Sequence, residues 1–312
     1  MEKYDIIIIG AGPGGLTAGL YAGRAGMKTL ILDKGITGGA GLMVPSMENY
    51  PGYELIAGMS LIAKMKAQSE KNADIHEMEG VETIDRVEDG FVINTFKDKY
   101  FTKLIILATG TTHKKLDVPG EDQHVGSGVS YCATCDGLFF KDKDILMIGG
   151  GNSALQEGIF LNNVGCNVTI VHRRDEFRAE KYLQDKLKEK GIPVIWDSVV
   201  EEIKGQKMVE SVILSNKKNG SIQEIQVQGV FIAIGDVPSS DLAKELGVNI
   251  DKYNYIITDK TQRTNMDNVY AVGDVTGGVK QWVVACSEGA IAATYAYQDL
   301  EQTKKKKLTN SK

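Results

Sequence analysis

Residues 4–34 read YDIIIIGAGPGGLTAGLYAGRAGMKTLILDK. YDIIIIG is an unbroken β-branched run, the pattern of a strand buried on both faces of a parallel sheet. GAGPGG follows, and LTAGLYAGRAG then supplies small residues that let a helix lie close to that sheet. KTLILDK reads as the next strand and ends on Asp33. Gly10, Gly12 and Gly15 meet the spacing G-x-G-x-x-G, and the acid stands 23 residues after Gly10. Each part has a physical task. Gly10 makes a tight turn, Gly12 lets the backbone approach a pyrophosphate, and Gly15 permits close packing of helix on sheet. The helix start offers unpaired N–H groups and the positive end of its dipole to the phosphates, and Asp33 accepts hydrogen bonds from a ribose. Strand, glycine turn, helix and acid together predict a dinucleotide site.

The same unit returns at 143–178, KDILMIGGGNSALQEGIFLNNVGCNVTIVHRRDEFR. Gly149, Gly151 and Ala154 hold the motif positions, with Ser153 at the head of the helix. No acid closes the second strand. His172, Arg173 and Arg174 stand there, and Arg178 follows. An acid would repel a ribose 2′-phosphate, whereas guanidinium groups bind one bidentately. The chain therefore predicts two dinucleotide sites of opposite charge logic, and an α/β fold with two Rossmann-like dinucleotide-binding domains.

Between the units, KLIILATGTTHKKLDVPG (103–120) reads as a strand ending in Ala108-Thr109-Gly110 and then a linker. GVFIAIGDVPSS (229–240) repeats that cadence. NVYAVGDVTGGVKQWVVACSEGAIAATYA (268–296) reads as a strand, an exposed Gly273-Asp274 turn and a small-residue helix.

The 312 residues suffice for roughly two domains. A formal net charge of -5 gives no reason to expect nucleic acid. The basic block Lys304–Lys307 reads as a solvated C-terminus. No secretory signal and no apolar run of membrane length is visible, so a cytoplasmic location without a membrane partner is expected. Thiols there are kept reduced, so a disulfide would be catalytic or sensing rather than structural.

The chain holds four cysteines: Cys132, Cys135, Cys166 and Cys286. The first two lie in SYCATCDG, residues 130–137. A structural zinc site usually takes four Cys or His ligands in paired clusters. One C-x-x-C pair stands alone here, and His113 and His124 lack metal-type spacing, so no metal is expected. Cys166 and Cys286 sit among apolar or small residues and read as packed thiols. C-x-x-C closes a small ring with little backbone movement and lowers the pKa of one thiol. Asp136 is placed to give a proton to a leaving sulfur. Two dinucleotide sites and a dithiol define a circuit, in which a nicotinamide reduces a flavin and the flavin reduces a disulfide.

The motifs GAGPGG, ENYPG at 48–52, ATG at 108–110, CATCDG at 132–137, GGGNSA at 149–154, HRRDEFRAEK at 172–181 and YAVGDV at 270–275 occur in this order. In this respect the chain resembles the low-molecular-weight thioredoxin reductases over nearly its whole length. No cysteine precedes Cys132 and the chain is short, which sets it apart from glutathione reductase-like enzymes with their N-terminal disulfide and third domain.

The resemblance implies a discontinuous FAD domain, residues 1–116 and 244–312, with an NADPH domain carrying the dithiol, 117–243, inserted between. It implies that Gly10, Gly12, Gly15, Asp33, Asn49, Thr109, Gly110, Asp274 and Gln281 line the FAD site. Gly149, Gly151, Ser153 and Ala154 would take the NADPH pyrophosphate, and His172, Arg173, Arg174 and Arg178 its 2′-phosphate end. Cys132 and Cys135 would be the redox pair, Cys135 facing the flavin, with Asp136 as the acid. Thioredoxin would be the protein substrate, and the enzyme a homodimer whose domains rotate near Pro119-Gly120 and near Gly235 and Pro238. Two positions depart from the family pattern. Ala40 replaces a Gln, and Trp282 follows Lys280-Gln281 where an Ala is usual. These leave a deazaflavin or ferredoxin donor as an alternative, and another dithiol carrier is an alternative because partner identity lies in surface loops outside the motifs.

Overall fold

The structure is a computed structural model and describes residues 1–44, 47 and 49–310. Glu48 of the ENYPG motif lies outside the described residues, as do the side chains of Lys304, Lys306 and Lys307. The chain divides into two compact units, one of residues 1–112 and 237–312 and one of residues 113–236.

The first unit is built on the strand that opens the sequence. β1 (Glu2–Ile9) lies parallel between β2 (Thr29–Leu32) and β6 (Lys99–Leu107), with Ile6–Ile9 opposite Thr29–Leu32 on one side and Leu104–Leu107 on the other. β3 (Asp74–His76) extends the sheet beyond β2. The isoleucines divide by parity. Ile6 and Ile8 pack with α1 (Pro13–Arg24) and α7 (Trp282–Asn310), while Ile7 and Ile9 enter the core on the opposite face. That two-sided burial is what the unbroken β-branched run encodes. Each isoleucine so buried contributes about 1.5–3 kcal/mol.

β6 is shared lengthwise. Its first half pairs with β5 (Gly90–Thr95), which pairs with β4 (Val81–Val87), both antiparallel. Its second half pairs parallel with β17 (Val269–Ala271). The C-terminal segment therefore returns to complete the first unit, where α7 packs along α1 and α2 (Gly58–Ser69) covers the same face.

The second unit repeats the plan. Its parallel sheet has the order β11 (Val194–Ile195), β10 (Asn167–Val171), β9 (Asp144–Gly149), β15 (Gly229–Ala233), β8 (Val129–Ser130). α3 (Ala133–Asp136), α4 (Asn152–Asn163) and α5 (Lys181–Glu189) pack on it. β12 (Ser198–Lys204), β13 (Ser211–Asn216) and β14 (Ile222–Gln226) form an antiparallel sheet over the other face.

The chain leaves the first unit on β7 (Thr111–His113) and returns on β16 (Asp236–Pro238), and these two strands pair with each other. The crossings expected at 116/117 and 243/244 thus fall at 112/113 and 236/237. The return is earlier because α6 (Asp241–Leu246) belongs to the first unit, with Ala243 buried in its core. Pro119 and Gly120 lie inside the second unit, where the Ile203 N–H donates to the Pro119 carbonyl at 2.9 Å. That bond fastens them to β12, which does not suit a hinge.

Candidate functional site

The first glycine turn has the geometry its spacing demands. Gly10 adopts φ +108°, and a side chain there would collide with the Ala108 carbonyl of the neighbouring strand. A side chain on Gly15 would strike the Gly10 carbonyl. Gly12 differs, because space in front of it is open. It caps α1 with Pro13 at the first helical position, no side chain occupies the cap, and no acid stands in the first turn. The helix N–H groups are therefore left for an anion. Asp33 is oriented by two backbone donors, Ala11 N–H at 2.7 Å and Gly35 N–H at 2.8 Å. These features fit a dinucleotide pyrophosphate and ribose, as FAD provides.

Distant expected FAD residues come together within this unit. The Asn49 amide donates to the Gln281 carbonyl at 2.9 Å across 232 residues of sequence. Thr109 Oγ1 donates to the Ser239 carbonyl at 2.6 Å, and Gly110 accepts the Ser239 N–H at 3.0 Å. These bonds tie the ATG motif to the segment entering α6. Asp274 lies in the 3-10 turn Gly273–Thr276. Glu288 on α7, which the motif reading passed over, accepts the Gly273 N–H at 2.6 Å and so holds that turn. Burial, and then the nearby Asp274, push its carboxyl above the usual range. Trp282 meets Tyr50 edge-on, with ring centres 6.2 Å apart, and lies against Gly41. Ala40 is exposed in the adjoining turn Gly39–Met43.

The second turn matches the first. Gly149 has φ +153° and faces the Ala233 carbonyl, while Gly151 caps α4 with open space before it and no acid in the first turn. Ala154, in place of the third glycine, is fully buried, and Ser153 is exposed. Arg173, Arg174 and Arg178 are exposed, and among the described residues none of them forms an ion pair. Three uncommitted guanidinium groups after β10 fit a 2′-phosphate. His172 does not join them as a charge. It is only 7% exposed, its ring lies against Gly150 and Phe177, and its Nε2 is enclosed without a partner. Burial holds its pKa below the ordinary value, so at neutral pH it contributes packing rather than charge.

Cys132 and Cys135 form a disulfide. Cys132 caps α3, and its Sγ accepts the Cys135 N–H at 3.2 Å. Cys135 is exposed, Cys132 is half-buried, and Asp136 follows in the same turn. The preceding residue is pinned. Tyr131 donates its hydroxyl to Glu121 at 2.6 Å and stacks on His113 with ring centres 5.7 Å apart. Glu121 is buried and also accepts the N–H groups of Leu116 and Asp117. Leu138 and Phe139, directly after the dithiol turn, are 68% and 73% exposed. Large apolar side chains held in water beside a reactive pair offer a contact surface. The run GLFF carries no sign of this, because an apolar pair reads as core until burial is known.

Cys166 is buried and Cys286 half-buried, and burial pushes both thiols above their ordinary pKa. They are poor nucleophiles. No group of three or more metal-ligating side chains occurs among the described residues.

The family model of the pyridine nucleotide-disulphide oxidoreductases matches residues 4–289. A thioredoxin reductase of Listeria innocua is 40% identical over 304 residues, covering 96% of this chain and 95% of its own. The crystal structure of Lactococcus lactis thioredoxin reductase matches with a TM-score of 0.92 at 43% identity, covering 96% of this chain and 99% of the other. That of T. acidophilum thioredoxin reductase matches with a TM-score of 0.92 at 38% identity over the same shares. Both nucleotide motifs and the dithiol lie inside these matches, and the chain belongs to the pyridine nucleotide-disulphide oxidoreductases, among the low-molecular-weight thioredoxin reductases.

Proposed function

We propose the residue roles by which this FAD- and NADPH-dependent thioredoxin-disulfide reductase works, and thioredoxin itself as the partner. FAD, when bound, relays two electrons between nicotinamide and disulfide. Gly10, Gly12 and Gly15 cradle its pyrophosphate and Asp33 its ribose. Asn49, Thr109, Gly110, Asp274 and Gln281 line the rest of its site. Gly149, Gly151, Ser153 and Ala154 receive the NADPH pyrophosphate. Arg173, Arg174 and Arg178 clamp its 2′-phosphate. Cys132 and Cys135 are the pair reduced and reoxidised, with Cys135 facing the flavin and Asp136 protonating the leaving sulfur.

The observation that carries this reading is the Cys132–Cys135 disulfide, with Cys135 exposed and Cys132 half-buried, within the unit that holds the second glycine turn. Leu138 and Phe139 favour a protein over a small disulfide as acceptor, since a protein surface covers both while a small molecule leaves them wet. We assign the enzyme to the cytoplasm as a homodimer. Among the described residues no helix is long and apolar enough to cross a membrane.

The test is anaerobic. NADPH is added to the yellow holoenzyme, then oxidised thioredoxin. The expected result is bleaching of the flavin absorbance by the first and its return with the second. A flavin that stays oxidised with NADPH would move the donor to a deazaflavin or ferredoxin. Cys135→Ser should keep FAD and lose thioredoxin turnover, and unchanged turnover would overturn the dithiol assignment.

A further inference from the structure

Glu157 belongs to no motif used above. It stands on α4 behind the dithiol turn, where α4 packs against α3. Its carboxyl group accepts the N–H of Ala133, the first residue of α3 and the neighbour of Cys132. Its Oε2 is enclosed, with no hydrogen-bond partner. An enclosed carboxyl oxygen without a donor costs free energy if it carries charge. We propose that Glu157 is a positioning residue for the dithiol, holding the backbone on which Cys132 stands and setting the charge beside it. The inference rests on Cys132 and Cys135 being the redox pair.

Burial, and then the negative charge of Asp236, push the Glu157 carboxyl up to about 8. The charged groups on the elements packed against α4 are Asp136 on α3, Asp144 on β9, and Lys181, Asp185, Lys186, Lys188 and Glu189 on α5. None of these bears on the carboxyl as Asp236 does. Glu157 is therefore a neutral acid through neutral pH. The amide it accepts from, that of Ala133, is joined directly to Cys132.

The consequence concerns the reduced pair. Two electrons supplied by the established reaction break the S–S bond, and one proton leaves one thiol and one thiolate. A neutral Glu157 puts no second anion beside that thiolate. Above about pH 8 Glu157 ionises, and the thiolate on Cys132 becomes harder to form. Neutral glutamine keeps the oxygen that accepts the Ala133 N–H and removes the titration.

The experiment reads the thiol without using turnover. In a Cys135→Ser background, folded and loaded with FAD, the rate of Cys132 alkylation by iodoacetamide is followed by peptide mass from pH 6 to 10. Adding Glu157→Gln should raise the rate roughly threefold to tenfold on the alkaline side, where a unit charge is removed, and leave it unchanged near pH 6. Superimposable profiles would overturn the proposal. Should the double variant not fold, the infrared spectrum of the oxidised wild-type holoenzyme decides. A protonated-carboxyl band that titrates near pH 8 is expected, and a spectrum without such a band overturns it. Neither readout depends on NADPH or thioredoxin, so a failed turnover assay would count against the dithiol assignment and not against Glu157.

Discussion

Under the proposed function, the cofactor preference rests on the charge of Arg173 and Arg174. Both are exposed just after β10, and among the described residues neither forms an ion pair with a carboxylate. Replacing both by alanine should weaken NADPH far more than NADH, which lacks the 2′-phosphate. Each charge-assisted contact is worth roughly 1.5–3 kcal/mol, so the ratio of the two Kd values should move at least tenfold. Equal weakening of both would assign the arginines to something other than the phosphate. The sequence proposes side chains of this kind from type and position alone, and the structure shows them exposed. His172 differs from them, since its neighbours in the chain are charged while its neighbours in space are Gly150, Phe177 and Trp196. Glu157, Glu288, Leu138 and Phe139 were passed over for the same reason. Their roles come from burial or its lack, and no spacing encodes that.

α7 must dock if the late segment is to complete the first unit, and one side chain fastens it. Asp299 accepts from Arg263 Nε at 3.0 Å and Nη2 at 2.8 Å, and from the hydroxyl of Tyr270 on β17. Burial alone would raise the carboxyl of Asp299, but Arg263 and Tyr270 outweigh it and hold it below the usual value. A carboxylate depressed by folding stabilises above its unfolded pKa near 3.9, and loses that contribution as pH falls through the folded value. Asp299→Asn should therefore cost about 1–2 kcal/mol at pH 7, after allowance for partial exposure. The difference in Tm from wild type should close on acidification below about pH 4. A gap that persists at low pH would mean that the bond geometry, not the charge, fastens the helix. The elements themselves were legible to very different degrees. β1, α1, β9 and α4 announce themselves by unbroken apolar runs and glycine turns. β4 and β5, and the sheet of β12, β13 and β14, were not read, because in β4 and β14 most positions face solvent and leave little apolar alternation.

The whole molecule is an insertion, and its cores respect the cut. Phe140, Met147, Leu155 and Phe231 share a core drawn only from residues 113–236. Ile6, Ile8 and Leu16 share theirs with Tyr270, Ala292, Ala296 and Leu300, from beyond the insertion. The ends of the inserted unit lie side by side, for Lys114 N–H donates to the Gly235 carbonyl at 2.9 Å. The second unit therefore closes its core with local chain alone. The first must wait for residues that follow 124 others, and long-range closure of that kind is slow. Produced alone, residues 113–236 should melt in one cooperative transition followed by circular dichroism, and form the Cys132–Cys135 disulfide reversibly. Residues 1–112 alone should not, because the sheet face that α7 covers and the half of β6 that pairs with β17 would stand open. Joining 1–112 directly to 237–312 through a short linker between Thr112 and Val237, which the pairing of β7 with β16 brings near each other, should restore cooperative melting to that unit. A cooperative melt from 1–112 by itself would mean that the first core closes without its C-terminal half, and the order of folding argued from the insertion would be wrong.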